Sequence, residues 1–77
     1  MSLQRRKAIQ RADELIQEAM EIIREAQEEE QEAYDNLPEN LQSDERGEQM
    51  QEYIETLEEI ADSLEEHSDN LQEIING

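Results

Sequence analysis

The sequence predicts an all-α protein, an antiparallel hairpin of two helices that resembles a coiled coil. Apolar residues recur at helical spacing in both halves of the chain, and a proline-containing stretch separates the halves. The other positions are mostly Glu, Gln and Asp, while Val, Phe, Trp and Cys are absent. A chain of 77 residues forms one domain, residues 1–77. The sustained period argues against disorder, which an apolar content of 34% would otherwise favour.

Helix 1 is predicted over about residues 3–36. A line of residues recurs every seven positions at Ile9, Ile16 and Ile23, and Glu30 continues the series. An alanine stands three residues after each of them, which predicts a seam of a and d positions with alanine at every d. These alanines are Ala12, Ala19, Ala26 and Ala33. The residues that flank this seam are Ala8, Leu15, Ile22, Met20 and Tyr34. The apolar stripe is therefore wider than a two-stranded seam needs.

Residues 37–42 are predicted to form a loop. Pro38 cannot continue a helix, and it disfavours helical backbone at the residue before it. Ser43 or Asp44 is suited to cap the second helix. Gly47 lies in the first turn of that helix, where glycine costs about 1 kcal/mol relative to alanine. Either a close neighbour or a bound group accounts for this glycine.

Helix 2 is predicted over about residues 43–75, with a second wide stripe. One of its lines holds Met50, Leu57, Leu64 and Leu71, and the next holds Tyr53, Ile60, His67 and Ile74. Two helices alone cannot cover both stripes, which predicts that two copies associate as a four-helix bundle. The predicted seam of that oligomer consists of Ile9, Ile16, Ile23, Leu57, Leu64 and Leu71.

The charge is −17 and is unevenly distributed. Residues 1–12 carry four cations and no acid, whereas residues 13–77 carry two cations and 23 acids, a net charge of 2 − 23 = −21. Such a field repels nucleic acid and anionic membranes and attracts basic protein surfaces. The partners expected are a second copy of the chain and a basic protein surface. The basic start is suited to pairing with Asp69 and Glu73 at the end of helix 2.

No enzyme site, metal site or cofactor is predicted. A ferritin-like site needs a Glu three residues before a His, but Leu64 occupies that position relative to His67. Carboxylates three apart, Glu55/Glu58 and Glu59/Asp62, are typical of Mg²⁺-dependent all-α nucleotide hydrolases. So acidic a chain contains such pairs by composition alone. His67 is interpreted as a packed residue or as a pH-sensitive element at an oligomer seam.

Three segments resemble a group of small acidic proteins encoded by phages and prophages of Gram-positive bacteria. They are the basic start "QRRKAIQ", the central block "EEEQEAYDNLPENLQSDERGEQM" and the helix "IETLEEIADSLEEHSDNLQEI". The resemblance covers the whole chain, and its central block is the specific part. It implies a phage or mobile-element origin and a bacterial cytoplasm as the location, and it brings no activity with it. Small acidic phage proteins often inhibit host factors, some by mimicking DNA.

The predicted function is therefore a non-enzymatic, acidic protein–protein interaction module. Its sharpest form is an inhibitor of a host nucleic-acid-binding or defence protein, of the anti-CRISPR or DNA-mimic type. The carboxylates expected to contact that partner are Glu48, Glu52, Glu55, Glu59, Asp62 and Glu66. Two alternatives stand beside it: a structural or assembly module that acts through its apolar stripe, and a Mg²⁺-dependent nucleotide hydrolase.

Overall fold

The computed structural model describes residues 1–77, which form three helices and no strand. Helix α1 spans Leu3–Asp35, α2 spans Glu39–Gln42, and α3 spans Glu45–Asn76. The all-α prediction is confirmed. The connection differs from the predicted loop, because its residues 39–42 form a single helical turn and the chain therefore has three helices. No helix of the chain is long and apolar enough to cross a membrane.

The ends of the two long helices follow from local side chains. Ser2 caps α1, since its Oγ accepts a hydrogen bond of 3.2 Å from the amide of Arg5. Asp44 caps α3 in the same way, accepting from the amide of Gly47 at 3.1 Å. Helix α1 ends just before Pro38, which has no amide hydrogen to donate and serves as the N-cap residue of α2.

The connection between α1 and α3 is held by Gln42 and Gly47. The Gln42 side-chain amide donates to the carbonyl oxygens of Tyr34 at 3.2 Å and Leu37 at 3.1 Å, which lie at and just after the end of α1. Gly47 is buried, and a Cβ added there would overlap the Gln42 carbonyl group and lie 2.7 Å from the Gln42 Cα. Close packing therefore accounts for Gly47 without a bound group.

Helices α1 and α3 pack along their length in opposite directions. Asp13 near the start of α1 contacts Ser68, whereas Arg24, farther along α1, contacts Asp62, which precedes Ser68 on α3. Two lines of α3 face α1. The first is wholly or partly buried and holds Gly47, Ile54, Ala61, Ser68 and Ile75; the second is half-buried and holds Met50, Leu57, Leu64 and Leu71. The molecule is accordingly a rod, with Cα extents of 58 × 14 × 13 Å.

The contact line of α1 corrects the predicted alanine seam. Ile9, Ile16 and Ile23 are half-buried as expected, but Ala12, Ala26 and Ala33 are exposed. The second line facing α3 lies one residue later along the chain and holds Arg6, Asp13, Met20, Gln27 and Tyr34. A stripe this wide contains two possible seams, and longer side chains fill the space between the helices better than alanine does.

Candidate interaction surfaces

The six carboxylates predicted to bind a partner all lie at the surface of α3. They are spaced alternately by four and three residues, so they form one line along the helix from Glu48 to Glu66. This line is called the α3 acidic row, and at 1.5 Å per residue it is about 27 Å long. Asp62 is the one member engaged in an ion pair, because its Oδ1 lies 3.4 Å from the Arg24 guanidinium.

Helix α1 carries a matching row that the sequence analysis missed. Its members are Glu14, Glu18, Glu21, Glu25, Glu28 and Glu32, and all are exposed. The alternation of four and three residues is the same as on α3. This line is called the α1 acidic row. The repeated spacing of its glutamates was the signal that would have revealed it.

The surface hollows near the rows are shallow and polar. One of about 470 Å³ is lined by Glu45, Arg46, Glu48, Gln49 and Glu52, with no apolar residue. Small-molecule sites are usually enclosed and mostly apolar, so this hollow does not resemble one. No group of three or more His, Cys, Asp or Glu residues is arranged to hold a metal ion. The carboxylates of Glu55, Glu58 and Glu59 are exposed.

One edge of the α1–α3 contact is polar and includes a buried carboxylate. Asp13 is 2% exposed, and its Oδ1 accepts a hydrogen bond of 2.6 Å from the Ser68 hydroxyl. Its Oδ2 accepts from the amides of Gln17 and Gln72. The hydrogen bond from Ser68 is the main cause that lowers the pKa of Asp13; burial opposes this shift, and the two glutamines support it.

Arg24 continues the polar edge farther along the rod. Its guanidinium lies 3.1 Å from the Glu65 carboxylate and 3.4 Å from that of Asp62, and it is the one cation that bridges α1 to α3. We call this edge, with the Asp13 cluster and Arg24, the polar side. The cations of residues 1–12 form no ion pair with Asp69 or Glu73; the only pair among them joins Arg11 to Glu14 within α1.

The opposite edge of the α1–α3 contact is apolar and uncovered. Arg24 directly follows Ile23, which faces α3, and Glu65 directly follows Leu64, which faces α1. In an antiparallel pair such residues meet on the same edge of the contact, as Arg24 meets Glu65. The residues that precede the contact positions therefore meet on the other edge. With the neighbours that flank them, they are called the apolar side: Ala12, Leu15, Ala19, Ile22 and Ala26 of α1, with Tyr53, Ile60, His67 and Ile74 of α3.

Exposure on the apolar side is high for residues of this type. Ile22 is 62% exposed, Tyr53 is 51% and Leu15 is 48%. His67 is also exposed, and no hydrogen bond to it is present, which corrects its interpretation as a packed residue within one chain. The sequence showed that the apolar stripe is wider than one helix pair can cover. It did not show which residues of the stripe stay exposed.

The six residues predicted as an oligomer seam lie between α1 and α3 of the same chain. Ile9, Ile16 and Ile23 are half-buried there, opposite the equally half-buried Leu57 and Leu64. Leu71 follows Leu64 on the same line. These side chains pack within the single chain, and their contact with a second copy stays a prediction.

Comparison with family models, with curated proteins and with solved structures finds no match to this chain. Its function is therefore proposed below from the surfaces described above.

Proposed function

We propose that the chain is a non-enzymatic, acidic interaction module that occupies the basic, nucleic-acid-binding surface of another protein. In keeping with its resemblance to phage proteins, the partner is a host nucleic-acid-binding or defence protein in the bacterial cytoplasm. The module would inhibit its partner by occupying the nucleic-acid-binding surface in place of DNA.

The observation that carries this proposal is the density of charge along the rod. A net charge of −17 spread over 58 Å corresponds to 58/17, or one negative charge per 3.4 Å. One strand of duplex DNA carries one charge per about 3.4 Å of helix axis. A basic cleft built for a phosphate backbone thus meets a similar linear charge on this protein.

The α3 acidic row is the stronger of the two rows as a contact surface. The four cations of residues 1–12 lie on α1 and reduce the field around its row, and Arg11 pairs with Glu14 of that row. Helix α3 has Arg46 as its only cation. A cleft that selects negative potential therefore favours the α3 side of the rod.

A matched pair of variants tests the proposal. One replaces the six acids of the α3 row by Gln, and the other replaces the six of the α1 row, so both change the charge by six. Each immobilised protein is incubated with lysate of a Gram-positive bacterium at low and high salt. We expect the wild type to retain DNA-binding proteins that salt and added duplex DNA release, because both screen or compete for the same charges.

The α3 variant should lose this retention and the α1 variant should keep most of it. Retention that is unchanged in both variants, or that is indifferent to salt and DNA, would contradict the proposal. Loss in the α1 variant alone would show that the α3 row is not the contact.

A second candidate function is a structural or assembly module, and the exposed apolar side favours it. Under this candidate, reversing charges of the α3 row leaves function intact, whereas polar residues on the apolar side abolish it. Ile22 and Ile60 are the appropriate test positions, because both are exposed. Ile23 and Leu57 pack between α1 and α3, so Asp at either position would unfold the chain instead.

A further inference from the structure

We infer that one end of the rod, the basic end, binds the surface of an anionic lipid membrane. The basic end is defined as residues 1–12 together with residues 69–77, which lie beside them because Asp13 contacts Ser68. The inference goes beyond the proposed function and makes no use of the acidic rows. Its failure would therefore leave the proposed function untouched.

The basic end has the opposite charge to the rest of the molecule. Its cations are Arg5, Arg6, Lys7 and Arg11, and its acids are Asp69 and Glu73. Its net charge is therefore 4 − 2 = +2. The remaining residues, 13–68, hold two cations and 21 acids, a net charge of 2 − 21 = −19. An anionic partner is attracted to this end and repelled by the rest of the rod.

Three of these four cations have no carboxylate partner within the chain. The ion pairs of the chain involve only Arg11 and Arg24 as cations. Arg5 and Lys7 are exposed. Arg6 is half-buried, and its Nε is a buried donor without a hydrogen-bond acceptor, although buried polar groups normally have one. In a chain with 23 acids, cations that stay unpaired are available to an external anion.

Exposed aliphatic side chains at the same end single out a lipid surface among anionic partners. Leu3 is 68% exposed and lies two residues before Arg5. Ile74 of α3 is 44% exposed and lies close to the level of Lys7 along the rod. Cations that attract lipid headgroups, beside aliphatic side chains that enter the acyl boundary, are the two components of peripheral membrane binding.

Nucleic acid fits the basic end less well than a lipid surface does. Proteins that bind single strands stack the bases on aromatic side chains. The basic end has no aromatic residue, because Tyr34 and Tyr53 are the only two of the chain. A phosphate backbone also offers no apolar phase in which Leu3 and Ile74 could be buried. A lipid surface accommodates the cations and the aliphatic side chains together.

The shape of the rod keeps the acidic rows away from the membrane. A planar surface can touch the end of a rod 58 Å long without touching its sides. The α1 acidic row begins at Glu14, nine residues after Arg5, which corresponds to about 14 Å of helix. The Debye length at physiological ionic strength is about 8 Å. End-on contact therefore screens the repulsion from the rows, whereas a rod lying flat would press them against the headgroups.

Binding to vesicles tests the inference. One kind of vesicle contains equal parts of phosphatidylglycerol and phosphatidylcholine, and the other contains phosphatidylcholine alone. We expect the wild type to float with the anionic vesicles at low salt, but not at high salt and not with the neutral vesicles. Arg5→Gln/Lys7→Gln should lower the partition coefficient about 25-fold, because each cation near an anionic bilayer contributes about fivefold. The matched control Arg24→Gln/Arg46→Gln has the same net charge and should bind like the wild type.

Leu3→Gln distinguishes a lipid surface from other anions. It removes an aliphatic side chain and keeps every cation, so binding to anionic vesicles should fall about tenfold. Circular dichroism should show unchanged helix, because Leu3, Arg5 and Lys7 are exposed. A wild type that does not float with anionic vesicles, or an equal loss in the two double variants, would overturn the inference. A mobility shift of duplex DNA that needs Arg5 and Lys7 but not Leu3, without vesicle binding, would assign the basic end to nucleic acid instead.

An environment-sensitive fluorophore tests the end-on contact. The chain has no cysteine, so Gln4→Cys allows labelling of the basic end and Asn40→Cys allows labelling of the opposite end. Both positions are exposed. Anionic vesicles should shift the emission of the fluorophore at position 4 to shorter wavelength and leave that at position 40 unchanged. Equal shifts at the two positions would contradict contact through the basic end.

Discussion

The two long edges of the α1–α3 contact differ in whether their side chains find partners within the single chain. On the polar side, Asp13 receives hydrogen bonds from Ser68, Gln17 and Gln72, and Arg24 reaches two carboxylates of α3. On the apolar side, Leu15 and Ile22 remain about half exposed or more.

This difference shows which edge holds the chain together and which is available to a partner. Polar partners that satisfy each other fix the pairing of the helices, because a shifted register would leave the buried Asp13 unpaired. Exposed apolar side chains have no such internal partners. Their burial against another molecule is favourable by about 25 cal/mol for each Å² removed from water.

The largest expected effect on stability comes from disturbing the connection between α1 and α3, on which the position of both edges depends. In Gly47→Ala the added methyl group meets the Gln42 backbone, which has to move, and we expect a loss of roughly 1–3 kcal/mol in the free energy of unfolding. An exposed glycine in a helix would instead gain about 1 kcal/mol on the same change. Thermal and urea unfolding measure the sign. The control is Glu48→Ala at the neighbouring exposed position, and a stabilised Gly47→Ala would contradict the described packing.

The next effect is on the polar side. Asp13→Leu leaves the buried Ser68 hydroxyl without its acceptor, which costs about 1–3 kcal/mol. Adding Ser68→Ala removes the unsatisfied hydroxyl, so Asp13→Leu/Ser68→Ala should recover most of the lost stability in urea unfolding. A double variant as unstable as the single one would mean that the hydroxyl is not what Asp13 satisfies.

A smaller effect is the pH dependence of the same cluster. The pKa of Asp13 is lower in the folded chain than its ordinary value, mainly because Ser68 donates to the carboxylate. The stability from this shift is present above about pH 4 and is lost as the pH falls through the folded pKa. A variant that carries no charge at position 13 separates this contribution from the rest of the chain.

The pH effect is therefore measured as a difference between wild type and Asp13→Asn at each pH. The wild type should be the more stable at pH 7, and its advantage should shrink below pH 4 as Asp13 gains a proton. Urea unfolding at several pH values gives this difference. An advantage that is constant from pH 7 to pH 2.5 would exclude the proposed shift.

The smallest effect concerns the bridge made by Arg24. Its side chain is 41% exposed and both carboxylates are more exposed still, so Arg24→Gln should cost only about 0.2–1 kcal/mol. The loss should diminish in 0.5 M salt, because exposed ion pairs are screened. Arg11→Gln is the control, since Arg11 pairs only with Glu14 of its own helix. A loss in Arg24→Gln that salt does not reduce would point to packing of its aliphatic stem.

Local signals predicted the helical class and the place of the break. Pro38 and Asp44 act on their immediate neighbours, so their effects could be read directly from the sequence. The turn of α2 was missed because four residues are too few to show a period. The close packing around Gly47 was one of two explanations open at the sequence level, and contact with Gln42 decides between them.

The contact line of α1 could not be predicted because it depends on distant residues. Hydropathy favours Ala12 over Asp13 as a buried position, yet Asp13 is the buried one. Its partner Ser68 is 55 residues away in sequence, and no local pattern connects them. The six acids of the α3 acidic row are exposed, and their contact with a partner stays a prediction.

The most direct test of the account compares the accessibility of the two faces in solution. Ala26→Cys places a single thiol on the apolar side, and Glu55→Cys places one in the α3 acidic row; both positions are exposed in the single chain. At 100 µM protein, the thiol at position 26 should react with a maleimide at least tenfold more slowly than that at position 55, and dilution should remove the difference. Equal rates at all concentrations would contradict the prediction from the sequence that two copies associate, with the apolar side covered and the acidic row open.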